Sequence, residues 1–475
     1  MNKFVLSVVA LLSLGACATP TSSTETPFPE KPNILFILID DLGWADLGAY
    51  GNTFNETPHI DALAREGLQF DNAYVSSPVC SPSRAGMITG RYNTRFGLTD
   101  FIPGHYRPYE EVATPVNRVQ RLPPEEVTYA EVLQNAGYRT GYYGKWHLGW
   151  GPQNHPTQQG FDEALVSNGW GHFFPPVHTS PRTPVDSGTY LIDYLTEQGE
   201  LFMERHQDSA FCLVVSHFAV HLPLEAPDED IARYRNRTDT VPDRIYNPTY
   251  SAMVTGIDES VGRLLAKLEA LDLDRETLVV FLSDNGGLRQ IYNNPNGQLV
   301  TSNAPLRNEK GTLYEGGIRV PLMLRLPGSA AMGSSTDTPV MSIDLTPTFL
   351  ELANAPIPDE LDGESLLPLL AGREYRRERP LFWHYPHYHH SRPASAVRRG
   401  HYKLIEFLDT GETVLYDLST DPGETTDLSA TQPALREALQ QLLTDWRQSV
   451  DAPLPTPNPD FDEARRSEWG KLPQR

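Results

Sequence analysis

The chain has few cysteines and few basic residues. Its 475 residues include only three cysteines, Cys17, Cys80 and Cys212, which excludes a disulfide-rich scaffold, and we expect no disulfide. Cys212 lies in an apolar segment, which predicts an inert thiol in a buried strand. Lys and Arg number 39 against 61 Asp and Glu, and the net charge of −22 argues against nucleic acid as a partner.

The first 32 residues predict export and a lipid anchor. Residues 4–14 form an apolar run that is too short to span a bilayer and is typical of a signal peptide. The run ends in Leu14-Gly-Ala-Cys17, which resembles a bacterial lipoprotein box. We therefore predict a signal peptide at 1–16 and a lipidated Cys17 with a flexible tether at 17–32. The alternative is an ordinary secretory signal with a chance cysteine.

Ala18 follows the predicted lipid site, where an Asp would retain a lipoprotein in the inner membrane. The prediction is therefore an exported lipoprotein of the bacterial cell envelope, favouring the outer membrane, with the periplasmic or surface side left open. The lipid anchor is the only membrane contact expected.

Apolar runs alternate with amphipathic segments over the first three quarters of the chain. The runs predict strands at residues 33–39, 69–74, 139–143, 211–216, 277–282 and 320–326. Helices are predicted at residues 57–67, 129–135, 191–206 and 249–271. This alternation predicts an α/β fold with a large, mainly parallel sheet sandwiched by helices, over residues 33–372.

The pattern changes after Gly372, and residues 373–475 are predicted to form a smaller C-terminal α+β subdomain. Antiparallel strands are expected at residues 395–405 and 413–417, followed by a helix at 432–449 and an extended tail.

Polar motifs follow the predicted strands at their C-terminal ends, where open α/β sheets bind ligands. Asp40 and Asp41 follow one strand, and Asp284 and Asn285 follow another. Their oxygens suit Ca²⁺ or Mg²⁺ better than a soft metal. The alternative is that each pair merely caps a helix. His217 also follows a strand and is interpreted either as structural or as a residue that supports the catalytic side chains without contacting the substrate.

The segment around Cys80 predicts a reactive thiol. Ser81 is a good N-cap and Pro82 suits a first helical position, so a short helix is expected to end near Gly90. Cys80 beside that N-terminus and near Arg84 is expected to have a lowered pKa. The alternative is a small buried cysteine in a loop.

Cys80-Ser-Pro-Ser-Arg84, followed by Thr89-Gly-Arg91, resembles the signature of the formylglycine-dependent (type I) sulfatases of the alkaline phosphatase superfamily. Further resemblances are Gly-Lys145-Trp-His147-Leu-Gly, His221-Leu-Pro, and Lys310 with Glu-Gly-Gly-Ile-Arg-Val-Pro at 315–321. The resemblance implies an alkaline-phosphatase-like fold and hydrolysis of sulfate esters.

The resemblance also implies a modified residue and a metal. In that family a formylglycine-generating or anaerobic maturation enzyme oxidises the cysteine, here Cys80, to 3-oxoalanine (formylglycine). One divalent cation, usually Ca²⁺, is bound with it, and the matching positions here are Asp40, Asp41, Asp284 and Asn285.

The implied nucleophile is the hydrate of the formylglycine, which attacks sulfur beside the cation and Asp284. Arg84 would hold the hydrate. The other implied catalytic residues are Lys145 and Lys310, which would stabilise charge on the sulfate, His221, which would protonate the leaving alcohol, and His147, which would regenerate the aldehyde.

Residues 383–392, Trp-His-Tyr-Pro-His-Tyr-His-His-Ser-Arg, are dense in aromatic and histidine side chains. They predict a sugar-binding segment, with His384, His387, His389 and Arg392 as candidate contacts to a sulfated glycan. Adventitious metal binding and packing within a subdomain interface remain alternatives. Weaker candidates are residues 100–104, His172 and Arg182.

Two other functions stay open. One is a phosphonate or phosphodiester hydrolase of the same superfamily, although Lys145, His147 and Lys310 favour sulfate. The other is a glycan-binding lipoprotein in which Cys80 stays unmodified.

Overall fold

The structure is a computed structural model, and it describes residues 28–470 apart from 117–118, 170, 176, 238–244, 292–298, 374 and 376–378. The predictions for the signal peptide, Cys17 and most of the tether lie outside the described residues. Among the described helices, none combines the length and the apolar character that crossing a membrane requires.

The strands in the described part of the chain are short to medium in length. They are β1 Asn33–Ile39, β2 Leu68–Phe70, β3 Ala73–Tyr74, β4 Val112–Ala113, β5 Arg139–Gly144, β6 Glu163–Asn168, β7 His178–Ser180, β8 Phe211–Ser216, β9 Thr277–Ser283, β10 Leu322–Arg325, β11 Ser334–Thr336, β12 Val340–Met341, β13 Leu381–Tyr385, β14 Ala394–Arg399, β15 Tyr402–Phe407, β16 Thr413–Asp417 and β17 Thr456–Pro457.

The α-helices of the same described residues connect and cover these strands. They are α1 Pro58–Glu66, α2 Cys80–Thr89, α3 Tyr129–Asn135, α4 Leu191–His206, α5 Asp228–Arg235, α6 Pro248–Ala270, α7 Glu315–Ile318, α8 Leu345–Leu352, α9 Leu367–Leu370 and α10 Pro433–Ser449.

The main sheet has the strand order β11-β2-β10-β9-β1-β8-β5-β6-β7 in the described chain. Its centre, β9-β1-β8-β5-β6, is parallel throughout, whereas β10 and β7 pair antiparallel to their neighbours. Parallel neighbours bring their carboxyl ends to one edge, so the loops after β1, β5, β8 and β9 meet there. The predicted fold class, α/β with a mainly parallel sheet, is confirmed.

Both faces of this sheet are buried, as its central strand shows. Ile34, Phe36 and Leu38 of β1 point into one hydrophobic core with α2, α3 and α8. Leu35 and Ile37 point into the other core, with α1, α4 and α6. A strand that is covered on both sides has no polar face, which explains the continuous apolar run at 33–39.

A second, antiparallel sheet has the order β13-β14-β15-β16 and packs with α10. The single strand predicted at 395–405 is wrong, because the chain reverses at Gly400 (φ 59°) and forms the β14–β15 hairpin. Strand β13 was not predicted, although it carries His384 of the His-rich segment. The boundary proposed at residue 372 stays a prediction.

A buried ionic cluster joins the C-terminal sheet to α7. Lys403 Nζ of β15 lies 2.8 Å from Glu315 Oε1 of α7 and 2.9 Å from Glu424 Oε1, and all three side chains are inaccessible to solvent. Tyr74 donates a 2.6 Å hydrogen bond to the other oxygen of Glu315. Buried charges persist only when paired in this way, so the cluster fixes the C-terminal sheet against the chain that follows Lys310.

Candidate active site

The sequence-predicted catalytic and metal-binding residues come together at the carboxyl edge of the main sheet. Asp40 and Asp41 follow β1, Lys145 follows β5, and Asp284 follows β9. The backbone N–H of Asp41 donates to Asp284 Oδ1 at 3.2 Å, which ties the ends of β1 and β9 together. Residues separated by more than 240 positions therefore share one site.

Cys80 is the first residue of α2 and is almost fully buried. The predicted N-cap is wrong: Val79 is the N-cap, and the Ser81 hydroxyl accepts a 3.1 Å hydrogen bond from the backbone N–H of Ile102 instead. The expected lowering of the Cys80 pKa is also wrong. Burial raises the pKa of the thiol to about 12, against the opposing effect of Lys145 and Lys310.

Lys310 anchors one side of the cluster through Asp41. Its Nζ lies 2.7 Å from Asp41 Oδ1, and the same oxygen accepts a 2.7 Å hydrogen bond from Asn285 Nδ2. Burial opposes ionisation of Asp41, but Lys310 and then His221, whose Nε2 is 3.7 Å away, hold the pKa of this carboxyl below its usual range. Asp41 is therefore an anion in a buried setting.

Arg84 organises the other side of the cluster. Its Nε donates to Asp284 Oδ2 at 2.7 Å, and its Nη1 donates to the Lys145 carbonyl at 2.7 Å and to Ser216 Oγ at 2.8 Å. Lys145 Nζ in turn donates to Asp40 Oδ2. Arg84 thus fixes Asp284 and the backbone that carries Lys145.

The residues present fit a divalent cation. Side-chain donor atoms of Asp40, Cys80 and Asp284 lie within 4.8 Å of one another, and so do those of Asp41, Cys80 and His221. Asp40 Oδ1 and the side-chain amide oxygen of Asn285 are buried without a hydrogen-bond partner. Buried acceptors are rarely left unpaired, and oxygen-rich donor sets favour Ca²⁺ or Mg²⁺.

Two residues at this edge have left-handed backbones, Asp41 (φ 62°) and His147 (φ 57°). Such conformations are costly for residues other than glycine and concentrate at functional sites. His147 Nε2 lies 2.6 Å from the Ile102 carbonyl, and its buried Nδ1 has no hydrogen-bond partner. Burial lowers the pKa of His147 well below its usual value, which keeps the ring neutral.

The other histidines near β8 differ in position. His221 reaches the cluster, and burial, followed by Lys310, lowers its pKa to about 3. His172 Nε2 lies 2.9 Å from the His221 carbonyl, and this contact stabilises the loop that carries His221. His217 contacts Ser260 of α6 at 2.9 Å, which favours the structural alternative of the two that the sequence left open.

A cavity of about 730 Å³ opens above the cluster. Six of the predicted catalytic and metal-binding residues line it close to the sheet, namely Asp41, Cys80, Lys145, His147, His221 and Lys310. Its outer walls are largely apolar and aromatic, with Phe101, Trp150 and Trp469 among them. One cavity therefore combines a charged floor with aromatic walls.

Comparison with known families gives two matches. A family model described as Sulfatase matches residues 32–355, and one described as N-sulphoglucosamine sulphohydrolase, C-terminal, matches residues 308–449. The first match covers more than half of the chain.

The chain belongs to the sulfatase family.

Curated relatives agree with this assignment. Human arylsulfatase A is 34% identical over 471 residues, covering 86% of this chain and 87% of the relative. A sulfatase of Formosa agariphila is 31% identical over 502 residues, covering 87% of each. The predicted family and activity are confirmed: the protein is a sulfuric ester hydrolase. Sulfatases generally use a formylglycine and a divalent metal.

Solved structures resemble this sulfatase over most of its length. Ps i-CgsB, in complex with k-i-k-neocarrahexaose, aligns with a TM-score of 0.75 and 30% identity, covering 88% of this chain and 93% of that chain. A phosphonate monoester hydrolase of Agrobacterium radiobacter aligns with a TM-score of 0.64 and 19% identity, covering 88% and 96%. The second likeness shows the fold alone.

Of the predicted substrate contacts in the sulfatase, only His389 lines the cavity. His384 lies in β13, buried, with its ring nitrogens 2.8 Å from Ser395 Oγ and 2.9 Å from the Pro453 carbonyl. His387 is buried against Thr99 Oγ1 at 2.9 Å. These two placements contradict the prediction, because both side chains point into packed protein.

The prediction that Arg392 contacts the substrate is also wrong. It ion-pairs with Asp409 at 3.3 Å and Glu412 at 2.9 Å and lies over the ring of Phe407, outside the cavity. Arg182, a weaker candidate, lines a separate cavity.

Residues 100–104, also a weaker candidate, do contribute to the cavity through Phe101, Ile102 and Pro103. The sequence analysis missed His105, Trp150 and Trp469, which line it as well. His105 directly follows residues 100–104, so its place in the sequence could have indicated that it belongs to the site. Trp469 lies in the terminal tail, where no sequence pattern connects it to the site.

Proposed function

We propose that this sulfatase removes sulfate from sulfated oligosaccharides or polysaccharides, using a formylglycine formed from Cys80 by a maturation enzyme. We further propose that one Ca²⁺ is held by Asp40, Asp41, Asp284 and Asn285. The observation that carries the proposal is the single cavity in which Cys80, two lysines and aromatic walls meet.

The size and lining of the cavity support a saccharide. A volume of about 730 Å³ is within the range of sites that enclose a ligand of several rings. Aromatic side chains such as Phe101 and Trp150 offer apolar faces for the C–H surfaces of sugars. The similar protein Ps i-CgsB, whose complex contains a neocarrahexaose, gives independent support.

The charge of the cluster supports an anionic ester. Three buried cations lie among three buried carboxylates: Arg84, Lys145 and Lys310 with Asp40, Asp41 and Asp284. A bound Ca²⁺ would polarise the sulfate oxygens and lower the pKa of the attacking hydroxyl. Its two positive charges would leave the site net positive, and Lys145 and Lys310 would hold the sulfate oxygens.

The proton transfers are assigned to two histidines that line the same cavity. His221, next to Asp41, is assigned as the proton donor to the departing alcohol oxygen. Because burial and Lys310 lower its pKa to about 3, this role requires that His221 gain its proton when the anionic substrate binds. His147, whose Nδ1 has no hydrogen-bond partner, accepts the proton that is lost when the site is regenerated.

A parallel hydrolysis assay tests this function. The full-length protein, matured in a competent host and supplied with Ca²⁺, is given 4-nitrophenyl sulfate, 4-nitrophenyl phosphate, a phosphonate monoester, carrageenan oligosaccharides and glucosamine disulfates. We expect sulfate release from the aryl sulfate and from at least one saccharide. Faster turnover of the phosphate or phosphonate esters would favour the alternative hydrolase.

His389→Ala should weaken glycan hydrolysis selectively. His389 lines the cavity outside the charged cluster, so its loss removes a contact to the sugar and leaves the reacting centre intact. We expect kcat/KM on the saccharide to fall about 10- to 200-fold. Activity on 4-nitrophenyl sulfate should change little. Arg392→Ala is the matched control, because that side chain lies outside the cavity, and a loss equal to that of His389→Ala would contradict this placement.

We also propose that Cys17 carries a lipid and anchors the enzyme in the cell envelope, with the outer membrane favoured. The support is the Leu14-Gly-Ala-Cys17 box, which lies outside the described residues. Radiolabelled fatty acid should enter the wild type and not Cys17→Ser. Equal labelling of both proteins would mean that the box is not used.

A further inference from the structure

We propose that the C-terminal tail of this sulfatase completes the substrate site, with Trp469 as a sugar-contacting wall residue. The inference rests on the proposed glycan substrate and adds a binding contact that the catalytic cluster does not provide. Its basis is how the tail is attached, which side chains Trp469 contacts, and which cavity it lines.

The tail is attached along its length to the segment that precedes and includes β4. Strand β17 pairs antiparallel with β4, and Asn458 Nδ2 donates to the carbonyls of Pro108 at 2.8 Å and Glu110 at 2.7 Å. Near the other end, the Gly470 N–H donates to the Tyr106 carbonyl at 3.0 Å. The backbone next to Trp469 is therefore held in place.

Trp469 continues an aromatic wall that begins near the catalytic floor. Its ring centroid lies 4.4 Å from that of His105, and the His105 ring lies 4.8 Å from His389. The Arg107 guanidinium lies 4.3 Å from the Trp469 ring centroid and fixes the indole further. Trp469, His105 and His389 all line the cavity that contains Cys80.

This arrangement indicates a contact to a part of the substrate that does not react. A partly exposed tryptophan, held by a backbone hydrogen bond and by two side chains, offers a rigid apolar surface at little entropic cost. A small aryl sulfate occupies the floor beside Cys80, whereas a longer saccharide extends along the wall. Trp469 therefore affects only the longer substrate.

Trp469→Ala and Trp469→Phe test the inference in the full-length, matured enzyme. On a carrageenan or glucosamine oligosaccharide that the wild type hydrolyses, we expect Trp469→Ala to lower kcat/KM about 10- to 100-fold, mainly through KM. Trp469→Phe should recover part of the loss. With 4-nitrophenyl sulfate, both variants should match the wild type.

Two further variants separate binding from folding. Phe461→Ala changes an exposed aromatic residue of the same tail that does not line the cavity, and it should leave both activities unchanged. Asn458→Ala removes two attachments of the tail and should reproduce the saccharide-specific loss in weaker form.

Several results would overturn the inference. If Trp469→Ala lost activity equally on both substrates, the tail would have only a structural role. If Trp469→Ala lost activity on neither substrate, Trp469 would not contact the saccharide. A wild type that hydrolyses the aryl sulfate but no saccharide would refute the proposed glycan substrate itself, and the inference with it.

Discussion

Cys80→Ala is expected to abolish hydrolysis of every sulfate ester. Cys80 is the buried first residue of α2, and its side-chain donor lies within 4.8 Å of donors from Asp40 and Asp284. Alanine leaves no group that can be converted to formylglycine. We expect a fall in kcat of about a million-fold, the size typical of removing a nucleophile.

A mass measurement and a control variant test this expectation independently. The Cys80 peptide of active enzyme should be about 18 Da lighter than the unmodified peptide in a mass spectrum, because the thiol is replaced by an aldehyde. Cys212→Ala is the control, since Cys212 is buried in β8 and does not line the cavity, and it should keep its activity. Active enzyme that contains only the unmodified Cys80 thiol would refute the proposal.

Asp284→Ala should produce the second large loss, again on every substrate. The Asp284 carboxylate accepts hydrogen bonds from the Asp41 N–H at 3.2 Å and from Arg84 Nε at 2.7 Å. Its removal takes away a proposed metal ligand and leaves Arg84 buried beside one fewer carboxylate. We expect kcat to fall by about 10³- to 10⁵-fold on both 4-nitrophenyl sulfate and saccharides.

The metal content and the free energy of unfolding of Asp284→Ala test the same proposal. Metal analysis of the purified protein should show loss of Ca²⁺, and the free energy of unfolding should fall by about 3–5 kcal/mol, because a buried ion pair is broken. Asp284→Asn keeps the shape of the side chain and should recover part of the stability but little activity. Unchanged metal content and kcat in Asp284→Ala would contradict the proposed metal site.

Asp258→Asn provides a matched control for a buried carboxylate. Asp258 accepts hydrogen bonds from the backbone N–H groups of His59 and Ile60 at the start of α1, away from the cavity. This variant should lose stability and yet keep its metal and its turnover. The contrast with Asp284 separates a general effect of removing buried charge from loss of the site.

The sequence was sufficient to predict the central sheet and the charged floor of the site. Strand β1 has the predicted bounds because a strand that is buried on both faces must be apolar throughout. Asp40 and Asp284 could be placed together because parallel strands end at the same edge of a sheet. The Cys80-to-Arg84 motif is local, so its residues needed no tertiary information to be grouped.

The pKa of Cys80 was decided by the tertiary structure. A helix N-terminus and a nearby Arg84 are expected to lower the pKa of an exposed thiol, but the surrounding chain buries Cys80, and the cost of burying a thiolate exceeds the opposing effect of Lys145 and Lys310. The amount of burial depends on segments that are distant in sequence, and a local motif contains no measure of it.

The sequence by itself determined the family, the α/β architecture and the charged residues of the floor, because these depend on local periodicity and on motifs at strand ends. Only the tertiary structure decided the walls of the cavity. His384 lies in a strand whose side chains are buried, so its aromatic surroundings form packed protein. Trp469 reaches the cavity from the tail because backbone pairing with residues more than 300 positions earlier holds it there. Such contacts depend on chain topology, and composition does not encode them.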